Sequence, residues 1–296
     1  MTLGVFALMT SELLPVGLLT PIGTALDLSE GTTALMVTVP GLVAAVAAPL
    51  VTVATARIDR RLVLALLGVP AGTLSGDLAG WRTAFAAVGV LGLISLACMV
   101  VVMPKLPPER TMRIADLPRV LRAHSALRVG IAMTFLVITG HFTAYTFPRP
   151  ILQDDGVADG MIGMLSPVFG VAGICGNFLA GALVSTRLRQ TVCGIGLLLA
   201  AAMAALAIDG HGVLSAAAVL VVWGLAHGAV PVTFQTWIRN AAPTATEAAS
   251  SLYASMLALS IALGALVGGL AVDAAGPVSA LWIGGAASHI ALTVSV

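Results

Sequence analysis

Charge is confined almost entirely to the ends of long apolar runs in this 296-residue chain, and few folds survive that constraint. A bilayer core about 30 Å thick takes about 20 residues of helix. Runs of roughly that length read as Leu3–Leu26, Leu35–Ala54, Leu62–Leu78, Thr83–Met103, Val129–Pro148, Met161–Val184, Thr191–Ile208, Val213–Trp237, Ala248–Val272 and Pro277–Val296. The third is short and carries Pro70 between Gly68 and Gly72, residues that membrane helices tolerate. The reading is an all-α membrane protein with ten transmembrane helices.

Composition agrees. Hydrophobic residues make up 59% and charged residues 9%, at mean hydropathy +1.06. Soluble domains carry roughly a quarter charged. No basic stretch precedes the first run and no small-residue site follows it, so no cleaved signal peptide is expected. No basic tail suits nucleic acid. Cys98, Cys175 and Cys193 lie unpaired in apolar runs and read as small buried residues.

The basic residues set direction. With the N-terminus in the cytoplasm, Arg57, Arg60, Arg61, Lys105, Arg110, Arg113, Arg119, Arg122, Arg128, Arg187, Arg189 and Arg239 all fall inside, and only Arg82 and Arg149 fall outside. Inverting the chain breaks the positive-inside rule. An even number of spans returns the C-terminus to the cytoplasm. The connection Pro104–Leu127 is long and basic and contains Pro107, Pro108 and Pro118. It reads as a cytoplasmic linker (104–128) between a bundle of four spans (1–103) and one of six (129–296). Within it, Ile114–His124 suits a short helix on the membrane surface.

The halves repeat. Thr55–Arg60 after the second span matches Ser185–Gln190 after the sixth at offset 130. Gly68, Gly72, Leu74, Asp77 and Gly80 match Gly264, Gly268, Leu270, Asp273 and Gly276 at offset 196. The second offset exceeds the first by 66, enough for two helices and their loops. A six-plus-six architecture that has lost one helical pair from its first half accounts for both.

Four stretches resemble the major facilitator superfamily, in particular its bacterial drug- and sugar-efflux proton antiporters of the arabinose-efflux-permease type. They are Ser11–Leu19; the loop Thr55–Arg61, similar to the cytoplasmic signature Gly-x-x-x-Asp-Arg-x-Gly-Arg-Arg; Gly68–Gly72 with Gly80–Arg82; and Tyr145–Pro148 with Trp237–Pro243. The loop has Ala56 where that branch commonly has glycine, and the later glycine is absent. The resemblance implies two helical bundles rocking about a central site and proton-driven export of a small organic molecule across the inner membrane. It implies no cofactor, because the proton gradient supplies the energy. It also implies that the gap takes out the family's third and fourth helices and the first part of its fifth. That gap opens a second reading, a non-transporting relic or a membrane assembly partner. Surface left open by the gap suits a second subunit, hence a homo-oligomer.

Candidate residues follow. Glu12 is the one charged residue well inside an apolar run, at a cost of about 2.5–3.5 kcal/mol if ionised at the bilayer centre. Such a group suits proton carriage; a structural carboxyl bonded to a neighbouring helix is the plainer alternative. Aligning Pro21-Ile22 with Pro150-Ile151 sets His141 opposite Glu12, so the two are candidates for proton coupling. A histidine bonded to a backbone carbonyl explains His141 equally well. His141, Tyr145 and Arg149 recur every fourth residue, as do Trp223, His227, Pro231 and Gln235, and residues so spaced share one helix face. Tyr145, Arg149, Trp223, His227 and Gln235 are therefore candidates for lining a substrate cavity, although Arg149 also suits the outer interface and Trp223 plain packing. Asp59, Arg60 and Arg61 read as a cytoplasmic gating loop, against the simpler reading of ordinary loop charge. Phosphate-binding, dinucleotide and nucleophile-elbow motifs are absent, and the histidines are too scattered for a metal, so no enzyme is expected.

Overall fold

The computed structural model describes residues 19, 22–24, 26–54, 116–154, 159–208 and 212–295. All regular structure among them is helical: α1 (Glu30–Ala54), α2 (Asp116–Ala123), α3 (Ser125–Tyr145), α4 (Pro148–Asp154), α5 (Asp159–Leu206), α6 (Val213–Ala241), α7 (Thr246–Ala275) and α8 (Pro277–Ser295). Chain contacts separate two compact units, Met1–Leu18 with Leu50–Ile114 and Leu19–Pro49 with Ala115–Val296. Apart from the last turn of α1, the described residues belong to the second unit.

Among the described residues, four stretches are long and apolar enough to cross a membrane: Ser125–Tyr145, Val168–Leu206, Val213–Ala241 and Thr246–Ala275. The first is 61% buried against 28–39% for the others, so α3 is the central helix and the rest surround it. Lipid tails are as apolar as leucine, so burial of apolar surface does not drive these helices together. Close backbone packing at small residues does. A Cβ at Gly264 would meet the Thr139 carbonyl at 2.7 Å, and one at Gly140 the Gly284 carbonyl at 2.6 Å. Glycine thus lets α3 touch both α7 and α8. Gly173 and Gly228 likewise bring α5 and α6 into backbone contact.

Register fixes relative direction. Thr139 meets Gly264 and Thr143 meets Gly268, so α3 and α7 run parallel. Ala126 accepts a hydrogen bond from Trp237 while His141 accepts one from Trp223, so α3 and α6 run antiparallel. α1 runs antiparallel to α7 and is tied to it at three levels. Ser29 Oγ and the Gly31 N–H donate to the Asp273 carboxylate at 3.0 and 3.2 Å, Thr38 Oγ1 donates to the Ala262 carbonyl at 3.2 Å, and Ser255 Oγ donates to the Ala45 carbonyl.

Boundaries shift for physical reasons. The fifth apolar run, read through Pro148, stops as a helix at Tyr145; Pro148 has no N–H to continue the ladder and instead opens α4. The sixth and seventh runs are two helices that follow one another directly within α5 and meet at Arg187, whose φ of −134° and ψ of 38° are not helical. Asp116–Ala123 is helical within the stretch read as a surface helix, with Leu117 buried and Arg119 and Arg122 exposed. α7 ends at Gly276, which takes φ of 79°, a left-handed value that glycine adopts without Cβ strain.

Candidate functional site

α3 and α6 each carry a ring at every fourth position, and their antiparallel packing brings the two stripes face to face. His141 and Tyr145 come from α3, Trp223 and His227 from α6. His141 and His227 stack with ring centroids 3.7 Å apart and planes within 7°. Tyr145 stacks on His141 at 4.8 Å, and Phe169 of α5 stacks on Tyr145 at 4.7 Å. Four rings therefore lie nearly parallel. Trp223 and Phe142 stand edge-on to His141, at 86° and 84°. Edge-to-face contacts set the positive rim of one ring against the negative face of another.

One hydrogen bond fixes the chemistry of the cluster. Trp223 Nε1 donates to His141 Nδ1 at 3.0 Å. An indole N–H can only donate, so Nδ1 is the unprotonated nitrogen and the neutral ring carries its proton on Nε2. His141 and Trp223 are both fully buried. Nε2 of His141 and Nδ1 of His227 are also buried, with no hydrogen-bond partner among the described residues. Each such orphan costs desolvation energy, about 1–3 kcal/mol.

The other candidates lie elsewhere. Gln235 is exposed on α6, about 12 Å beyond His227 along the helix axis at 1.5 Å per residue. Arg149 belongs to α4, after the turn that ends α3. Glu12, Asp59, Arg60 and Arg61 lie outside the described residues. Phe142 and Phe169 belong to the cluster, and the sequence reading missed both. Phe142 is adjacent to His141 but off its four-residue stripe, and Phe169 sits in an apolar run of α5 with no polar neighbour to single it out. Among the described residues no group of three or more His, Cys, Asp or Glu is placed to hold a metal.

Long apolar helices joined at small residues, enclosing a buried polar and aromatic cluster, define an integral helical membrane protein. The family model described as Major Facilitator Superfamily matches residues 63–265. That stretch is more than half of the chain, and the chain belongs to the Major Facilitator Superfamily. This is a family of secondary membrane transporters rather than enzymes.

Proposed function

We propose that the chain is a proton-coupled exporter of a small organic molecule, working by alternating access in the inner membrane with both termini cytoplasmic. The observation that carries the reading is the His141–His227 stack, in which the fully buried His141 ring lies against a His227 ring whose Nδ1 is buried and has no hydrogen-bond partner among the described residues. Imidazole is the side chain whose ordinary titration falls nearest neutrality, and a carrier needs a group that gains and loses a proton within its working range. Glu12 is the partner acid, on the alignment that sets it opposite His141. Tyr145, Trp223 and His227 are packed against one another and against His141 and Phe169 in this state, and would offer aromatic faces to a flat or amphipathic substrate once the bundle opens, with Arg149 and Gln235 farther along the path. Asp59, Arg60 and Arg61 latch the cytoplasmic side. No cofactor is needed, since the proton gradient drives the cycle.

The 66-residue difference between the two repeat offsets favours a second reading, a non-transporting relic or an assembly partner whose open side is covered by another copy. Expression in a host stripped of its own exporters separates the two. Lowered accumulation of one class among drugs, sugars, nucleosides and amino acids, abolished by a protonophore, supports export. Unchanged accumulation in every class, with the protein present in the membrane, supports the second reading.

A further inference from the structure

We propose that Nδ1 of His141 holds either the indole hydrogen bond of Trp223 or a proton, never both, so that protonating His141 releases Trp223. The inference deepens the proton-coupling reading above, yet it concerns one bond and can be tested without transport. It follows from the donor inventory. In the observed state Nε2 carries the ring proton and Nδ1 accepts from Trp223 Nε1 at 3.0 Å. The only basic site left on His141 is therefore the atom Trp223 occupies. A proton arriving there adds one N–H and one positive charge and leaves two donors facing each other. The Trp223 N–H···N bond must break.

The surroundings make that loss consequential. Trp223 is fully buried and stands edge-on to His141, Tyr145 and Phe169, at 86°, 74° and 85°. Losing its acceptor leaves a buried donor that must turn to find another. Turning it disturbs rings from three helices at once: α3, α5 and α6. The titratable groups in ring contact with His141 are His227 on α6 and Tyr145 on α3 itself. α5 meets the cluster through Phe169, while α7 and α8 meet this part of α3 through Gly264, Gly268, Gly284 and Ser288. None of these neighbours is a carboxylate or a guanidinium; the unpartnered Nδ1 of His227 is the competing seat for the proton, and the H141Q arm below separates the two. A proton on His141 is thereby converted into motion of a bulky side chain on the facing helix, and Trp223 acts as a positioning residue that reads the charge on His141.

The test uses the full chain in lipid nanodiscs, labelled with nitrogen-15 in tryptophan indoles and histidine rings. The indole peak of Trp223, assigned by its loss in W223F, is followed from about pH 8 to about pH 5 alongside the His141 ring nitrogens. The proposal expects the indole proton to move upfield as its bond is lost, over the same pH range in which His141 Nδ1 becomes protonated. It expects no such movement in H141Q, whose amide oxygen can accept the same bond but does not titrate. An indole peak that stays fixed through that range overturns the proposal. So does one that still moves in H141Q, which places the proton on His227. Co-titration in the unsubstituted protein needs only the W223F assignment, so misfolding of H141Q leaves the test standing. Absence of transport alongside intact co-titration counts against the exporter reading alone.

Discussion

His141 and His227 lie ring over ring, 3.7 Å between centroids and 7° from parallel, although they belong to different membrane helices. Two full charges at that separation would repel by about 4 kcal/mol even at an effective dielectric of 20. The stack therefore accommodates one extra proton, not two, and its rings should act as a unit.

Replacing His227 with phenylalanine keeps a flat ring against His141 and removes both ring nitrogens. The helical bundle should survive, with a melting temperature within a few degrees of the unsubstituted protein. Export coupled to a pH gradient should fall at least tenfold, about 1.4 kcal/mol or more of lost coupling. Circular dichroism checks the first outcome, and uptake into inverted vesicles checks the second.

Gly228 lies against the Gly173 backbone, where a Cβ would run into the carbonyl of the facing helix, while Gly181 has nothing within 4 Å of its Cβ position. G228V should destabilise the bundle by about 1–3 kcal/mol, the usual cost of forcing extra volume into a packed interior. G181A should be neutral or slightly stabilising, since alanine is the better helix former. Thermal unfolding in detergent reads both.

Asp273 accepts from Ser29 Oγ and from the first-turn N–H of Gly31, and so caps α1 from a different helix. D273A should lose about 0.5–2 kcal/mol, the usual effect of removing a helix cap. Faster hydrogen exchange should appear in the first turn of α1 and be absent from α6. A uniform rise across all helices would contradict the capping role.

The sequence made the helices legible because charge punctuates them. Val213–Trp237 and Ala248–Val272 correspond to α6 and α7, which extend them to Ala241 and to Thr246–Ala275. Ends were missed where a charged residue lies within a helix. α3 begins at Ser125 and includes Arg128, whose guanidinium reaches the Arg122 carbonyl at 2.7 Å. Four of the cluster residues were legible as polar or aromatic stripes at helical spacing. Their mutual packing was not, because spacing specifies a face of one helix and says nothing of the face opposite. Phe169 stayed hidden for that reason.

The cytoplasmic assignments of Arg57 and Arg187 rest on the positive-inside rule, which predicts one side for the loop at Arg57 and the kink at Arg187. Single cysteines at these positions in a background free of Cys98, Cys175 and Cys193 should both react with an impermeant maleimide only after the membrane is opened. Labelling of one in intact cells would overturn the threading.

Proton movement driven by substrate tests the account most directly. Liposomes containing the purified protein and a trapped pH dye are challenged with drug, sugar, nucleoside and amino-acid classes in turn. The account predicts that one class drives proton flux through the unsubstituted protein, and that the flux disappears in E12Q and in H141Q. Absence of flux with every class from folded protein, or flux undiminished in both variants, would contradict it.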